Sequence, residues 1–277
     1  MNSVFVPDAD DVPPEHALLV VDMKNYSQIP EAKMAPTRAD LDDILSTVFV
    51  QCGIDDAALL DSAVKDRGDG AIFVLSARHA ARLVDPLLGY LRLALERREQ
   101  TRLASSPTIR LRASIHVGPL APPEHRGDAA NDACRLVDSD AVRAAMTAAV
   151  DNGLYLAAVV SDPVFRRTVR AERTKTLTSR NLRQATARVE GKDGFQEACW
   201  LHVPGLPPSV LDPYLDTDPG QTLPTDTEGP GMPPGENSSA VVKDDATAPV
   251  RQRGKATGKS RLIQVGRDYN TGPEQQS

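Results

Sequence analysis

The sequence predicts an α+β fold from three observations. Apolar patterns of strand and helix type alternate along the chain, a glycine-marked hairpin sits between two of them, and the order up to Gly118 is strand, helix, strand, strand, helix, strand. That order is the split βαββαβ arrangement of ferredoxin-like domains. Further strands are expected after it.

The elements follow in turn. "HALLVVD", residues 16–22, is an apolar run of buried-strand type, and "TRADLDDILSTVFVQCG" has helical spacing, with Thr37 or Asp40 near its cap and Gly53 past its end. "DSAVKDRGDGAIFVL" gives a strand, a glycine turn and a second strand. "ARHAARLVDPLLGYLRLALERREQ" is helical with an interruption at Pro86, because proline lacks the N–H an interior helical position donates. "TIRLRASIHVG" closes the core unit as a strand. Beyond it, "DAANDACRLVDSDAVRAAMTAAVDNG" reads as a helix, "LYLAAVVS" as a strand, "DPVFRRTVRA" as a short helix, and "QATARVEG" with "FQEACWLHVPG" as a final hairpin.

From about residue 205 the composition turns to Pro, Gly, Thr and Asp with no apolar period, and such a stretch buries too little surface to offset its ordering entropy. The expected organisation is a folded domain over 15–204, a disordered linker over 205–259 and a short motif over 260–272.

Composition narrows the function. The 277 residues with 40% hydrophobic content can bury a substantial core, and the net charge of -6 disfavours a nucleic-acid partner, whose phosphates an acidic field repels. Apolar runs such as "ALLVV" fall far short of the roughly 20 residues a membrane helix needs, and the N-terminal stretch has no secretion-signal pattern. The expectation is a cytoplasmic protein without membrane contact. Cys52, Cys134 and Cys199 are odd in number and widely spaced, as in reduced structural thiols, and no catalytic role is assigned to them.

Two acids stand out. Asp22 ends the first strand, and Asp69 sits on the hairpin turn "RGDG" between Gly68 and Gly70. In a ferredoxin-like sheet the third strand lies beside the first, which brings the two carboxylates to one edge. Like charges that close raise each other's pKa unless a cation lies between them. Hard divalent ions about 4 Å apart on shared carboxylates activate an attacking oxygen and neutralise a phosphoryl group. Gly68 and Gly70 permit turn conformations and close approach to phosphates. By itself the tripeptide "GDG" fits a turn cap equally well.

Four ordered blocks, "LLVVDMKNYS", "KDRGDGAIFV", "LRASIHVGPL" and "RGDAANDACRL", together resemble the class III nucleotidyl cyclases, the superfamily of adenylyl and guanylyl cyclase catalytic domains. The resemblance covers about residues 15–204. It implies that Asp22 and Asp69 hold two Mg2+ or Mn2+ ions, that Arg112 steadies the triphosphate, and that Asn131 and Arg135 orient the ribose and stabilise charge on the α-phosphate. The spacing of Asn131 and Arg135 puts them on one helical face, as a shared ligand or a solvated polar surface both require. Lys65 falls where adenylyl cyclases carry a purine-reading lysine, with Glu124 in place of its usual aspartate partner, so ATP is the default substrate and GTP or a pyrimidine nucleotide stays open. Lys65 beside Asp66 also suits a surface ion pair. Where relatives carry a phosphate-reaching lysine in the closing hairpin this chain has Glu190, and Lys192, two residues on, is the candidate substitute. The resemblance further implies a homodimer with composite sites, acting on a nucleoside triphosphate in signalling or defence. The alternative is an inactive cyclase-fold adaptor.

"LIQVGRDYNTG", Leu262–Gly272, alternates apolar and polar residues before a glycine, which suits a stacking strand-arc-strand unit. It resembles amyloid-signalling motifs related to the receptor-interacting-protein homotypic interaction motif, and so implies a protein partner with a matching segment. On a flexible linker such a motif raises local concentration of whatever it tethers.

Overall fold

Strand β1 (Glu15–Met23) is the centre of the molecule: Ala17 through Val21 are fully buried, because the strand is flanked on both edges and covered on both faces. A computed structural model of the chain describes residues 11–54, 59–66, 68–122, 125, 127–191 and 194–215, with backbone alone for 59–66. All lie within one unit, Met1–Leu223.

After β1 come α1 (Glu31–Gln51), β2 (Leu59–Asp66), β3 (Gly70–Ser76), α2 (Ala80–Val84), α3 (Leu87–Thr101) and β4 (Leu111–Pro119). Then follow α4 (Asp128–Asp138), α5 (Asp140–Asp151), β5 (Leu156–Ser161), α6 (Asp162–Arg167), β6 (Arg183–Arg188), β7 (Gln196–His202) and α7 (Asp212–Leu215). The sheet has seven strands in the order β2-β3-β1-β4-β5-β7-β6. Its first four strands have the expected split arrangement, and the later ones are the expected additional strands.

Alternation along β1 sends its side chains to two layers. Leu19 and Val21 join α1 and α3 through Leu41, Leu45, Leu88 and Leu91, while Leu18 and Val20 meet α4 through Ala133 and Val137. A third cluster packs α5 on β5 and β7 around Val142, Met146, Val159 and Leu201. Each fully buried Leu or Val contributes about 1.5–3 kcal/mol.

Three boundaries differ from the sequence expectation. Helix α1 starts at Glu31, after Pro30, and runs through Pro36, so Thr37 is buried mid-helix instead of capping it. Packing of Thr37 and Leu41 outweighs the hydrogen bond that Pro36 cannot make. The single helix expected over 128–153 is two, split at Ser139, whose Oγ donates to Leu136 O at 2.7 Å and accepts from Val142 N. Finally, ordered chain continues past residue 205: Leu211 is buried against α5, Tyr214 Oη donates to Asp151 at 2.9 Å, and Arg183 Nε donates to Asp212 at 2.6 Å. The rest of the expected linker, and the segment Leu262–Gly272, lie outside the described residues.

Among the described residues no helix is long and apolar enough to cross a membrane. Cys52 and Cys199 are buried, and burial pushes their thiols up to about 11 and about 12, which removes them as thiolate nucleophiles near neutral pH.

The β1–β3 ladder sets up a stability test. A Cβ on Gly70 meets Val21 O at 2.0 Å, a backbone atom, whereas a Cβ on Gly89, in α3, meets nothing within 4 Å. Gly70→Ala is expected to lose at least about 2 kcal/mol through backbone overlap. Gly89→Ala is expected to gain about 0.5–1 kcal/mol through helix propensity. Thermal unfolding of both variants beside wild type checks the opposite signs.

Candidate active site at the end of β1

Asp22 is the last acid on the central strand, and its position is fixed from both sides. In the ladder it faces Gly70 of β3 on one edge and Arg112 of β4 on the other. The next residue, Met23, donates its N–H to Asp69 O at 2.9 Å, so the turn residue Asp69 is tied directly to the end of β1. The backbone of the turn thus lies against the end of β1, and the charge of Asp69 is felt at Asp22.

The turn that carries Asp69 is built for this. Gly68 has φ +79°, a left-handed conformation that costs side-chain-bearing residues energy, and Gly70 has no room for a Cβ beside Val21. Arg38, reaching over from α1, donates from Nη1 to Gly68 O at 3.1 Å and to Gly70 O at 2.9 Å, and from Nε to Asp42 Oδ1 at 3.0 Å. Two backbone carbonyls of the turn are thereby held by a charged donor, which stiffens the loop bearing the acid. Sequence reasoning missed Arg38, because a surface arginine on a helix carries no local signal of a contact 30 residues away.

Asp22 is 6% exposed, and burial is the main influence that raises its carboxyl above the ordinary range. The charge and hydrogen bonds of Arg112 act the other way, and the charges of Asp69 and Asp138 add to the rise. Arg112 donates to Asp22 Oδ2 from Nε at 3.0 Å and also from Nη2. Both bonds converge on Oδ2, and Oδ1 takes no part in them. The sequence expectation gave Arg112 to a triphosphate; here its guanidinium contacts the Asp22 carboxylate. Asp138, at the end of α4, was not singled out from the sequence, yet its charge reaches Asp22.

Asn131 and Arg135 occupy one face of α4, as the i, i+4 spacing requires, with Asn131 exposed. Arg135 donates from Nη1 to Asp132 Oδ1 at 3.0 Å, and its guanidinium carbon lies 5.5 Å from the Phe195 ring centre, a cation–π contact that orients it. These contacts join α4 to the chain just before β7; neither involves Asp22 or Asp69.

Lys65 lies on β2 opposite Ile72 in the ladder, and its side chain falls outside the description. Glu124 and Lys192 lie outside the described residues. Glu190 is exposed in the turn after β6.

Among the described residues no group of three or more His, Cys, Asp and Glu side chains is placed to hold a metal ion. The oxygen-only pair Asp22 and Asp69 nevertheless suits Mg2+ or Mn2+. Such hard ions are commonly held by one or two carboxylates together with substrate phosphates, not by an all-protein cage.

No family model matches the chain, and no curated protein matches it. Three solved structures illustrate its likenesses. The adenylate/guanylate cyclase/hydrolase from Silicibacter pomeroyi is 21% identical, with TM-score 0.45, over 69% of this chain and 98% of that one. The guanylate cyclase domain of RhGC from Catenaria anguillulae, in complex with GTP, is 14% identical, with TM-score 0.44, over 70% of this chain and 98% of that one. The adenylyl cyclase CyaB from P. aeruginosa is 11% identical, with TM-score 0.40, over 68% of this chain and 94% of that one. At these TM-scores no residue of the chain takes its role from the likeness.

Proposed function

We propose that the chain is a nucleotidyl cyclase that acts as a homodimer on a nucleoside triphosphate, with ATP favoured. The ribose 3'-oxygen attacks the α-phosphorus, the bond to pyrophosphate breaks, the hydroxyl proton is lost, and a 3',5'-cyclic nucleotide forms. The observation that carries this is the meeting of Asp22 and Asp69 at the end of β1, one of them buried against the preference of its charge. Such a pair is costly unless cations join it.

Asp22 and Asp69 would hold Mg2+ or Mn2+, two per site, which when bound supply activation of the attacking oxygen and neutralisation of phosphoryl charge. The protein's own part is positioning, the main source of rate in phosphoryl transfer. The glycine turn, clamped by Arg38, keeps Asp69 in place against Met23. Asn131 and Arg135 serve as ribose- and α-phosphate-orienting groups, and the Asp132 and Phe195 contacts pre-set the guanidinium. Lys65 and Glu124 read the base. Because the acid pair and the α4 pair have separate contacts within one chain, composite sites across a dimer suit them. Recruitment through Leu262–Gly272 to a partner with a matching segment, in a cytoplasmic signalling or defence role, completes the proposal.

One contact favours a second reading, a cyclase-fold adaptor without turnover. Arg112 already supplies a cation to Asp22 Oδ2, and Glu190 puts negative charge where a lysine is expected.

Purified full-length protein with Mn2+ and each of the four nucleoside triphosphates separates the readings. The cyclase reading expects cyclic product and pyrophosphate from wild type, with ATP the best substrate, and a fall of about 100-fold or more in Asp22→Ala and Asp69→Ala. No product from any nucleotide gives the adaptor reading, and product undiminished in both variants overturns the two-metal cyclase reading built on Asp22 and Asp69. Composite sites add a second expectation: Asp22→Ala mixed with Arg135→Ala regains activity that neither has alone, because mixed dimers contain one intact site. Specific activity should also fall on dilution as dimers dissociate. Activity independent of concentration, with no regain on mixing, places the whole site in one chain.

A further inference from the structure

In a protein of net charge -6, residues 166–183, from the end of α6 to the start of β6, hold six arginines and one lysine against a single acid, Glu172. The backbone that carries them is fixed from beneath. Val169, Leu177 and Leu182 are buried in the core shared with α2 and α3. Asp85, between those helices, accepts from the N–H groups of Lys175, Thr176 and Leu177 at 2.5, 2.6 and 3.3 Å, and from Thr176 Oγ1 at 2.9 Å. Further along, Asn181 O accepts from His202 Nδ1 at 2.9 Å, and the Asn181 side chain accepts from Thr178 N at 2.8 Å.

Three of the basic side chains are matched within the fold. Arg166 pairs with Asp162 at 2.7 Å, Arg167 forks onto both oxygens of Glu15 at 2.6 and 2.8 Å, and Arg183 donates to Asp212 at 2.6 Å. The other four, Arg170, Arg173, Lys175 and Arg180, are exposed and have no acidic partner among the described residues. Like charges held on a fixed backbone repel one another, and uncharged polar side chains would cover the same anchored loop without that repulsion. The charges therefore call for something outside the fold. Glu15, which takes Arg167, opens β1, whereas Asp22 lies near the other end of that strand, about 24 Å away at roughly 3.4 Å per residue.

We propose that Arg170, Arg173, Lys175 and Arg180 form a docking surface for an acidic peptide segment of a partner protein, one that presents several carboxylates in succession. The segment's own ion pairs set the chemistry: each is with a carboxylate, and Arg167 shows the planar fork that a carboxylate fills. Single-stranded nucleic acid stacks on aromatic side chains, and residues 166–183 include none. A long phosphate polymer also meets the negative field of the whole protein, whereas a short peptide, within a screening length of about 8–10 Å, meets the patch alone. An anionic membrane fits less well, because the segment exposes no large apolar side chain for insertion. The surface goes beyond the cyclase reading, since peptide binding there involves neither metal nor nucleotide.

A fluorescein-labelled oligoglutamate of about ten residues, titrated with the full-length protein at about 50 mM salt and read by anisotropy, tests the surface. Wild type is expected to bind it. The double variants Arg170→Gln/Arg173→Gln and Lys175→Gln/Arg180→Gln should each weaken binding by about fivefold or more. Arg97→Gln/Arg188→Gln, the same charge change at exposed positions outside the segment, should stay within about twofold. Thermal midpoints of both patch variants should equal or exceed that of wild type, because neutralisation relieves repulsion and removes no packed contact. The proposal is overturned if wild type does not bind the peptide, or if both patch variants bind it as wild type does. Lowered midpoints together with lost binding assign the charges to the fold and overturn it as well. Titrations with a DNA duplex and with phosphatidylserine vesicles complete the test: patch-dependent binding tighter than that of the peptide assigns the surface to phosphate groups and overturns the peptide reading. Because no titration contains metal or nucleotide, loss of the cyclase reading leaves each of these outcomes separately readable.

Discussion

The antiparallel hydrogen bonding of β1 to both β3 and β4 is the constraint from which the rest follows. Its register sets Asp22 against Gly70 and Arg112, and its continuation sets Met23 against Asp69 and Lys24 against Arg110. A slip of one residue would turn Asp22 into the opposite layer, among Leu41, Leu45 and Leu91, where a carboxylate has no partner. The apolar faces of β1 therefore specify the location of the charged residues at its end. Core packing and site geometry are here the same fact.

At that end, opposing electrostatic effects meet. Desolvation disfavours the Asp22 carboxylate, and the charges of Asp69 and Asp138 disfavour it further; Arg112 is the compensating group. Side-chain exposures of 12% for Arg112 and 8% for Asp22 make this a buried pair. Removing one partner of a buried pair typically costs about 3–5 kcal/mol, so Arg112 holds the strand end together whatever else it contacts. The convergence of both its bonds on Oδ2 keeps Oδ1 clear of the guanidinium. The protein thus keeps acid density at the end of β1 with one cation of its own, and places more cations one ladder step further on.

Much of this was legible in the sequence where a residue's role depends on its own strand or turn. Apolar runs located β1 and β3, the glycines marked the turn, and the element order put the two strands side by side, so the placing of the turn against the end of β1 could be read without coordinates. Roles that depend on a distant partner were not legible. The Arg112 contact with Asp22 needs the β1–β4 register, 90 residues apart in the chain, and the clamp by Arg38 needs the seating of α1 on the hairpin. The split at Ser139 was hidden by an unbroken helical pattern, although the serine's capping chemistry was a local clue. The start of α1 was missed because Pro36 looks like a helix boundary when its tertiary contacts are unseen.

The central claim is that Asp22 and Asp69 jointly hold divalent cations against a nucleotide's phosphates. Anomalous diffraction from crystals grown with Mn2+ and a non-hydrolysable nucleoside triphosphate tests it most directly. The account predicts Mn2+ density within about 2.0–2.3 Å of oxygens from both Asp22 and Asp69 and from the phosphates. Nucleotide bound with no anomalous density there, or Mn2+ held elsewhere while Arg112 keeps Asp22, contradicts it.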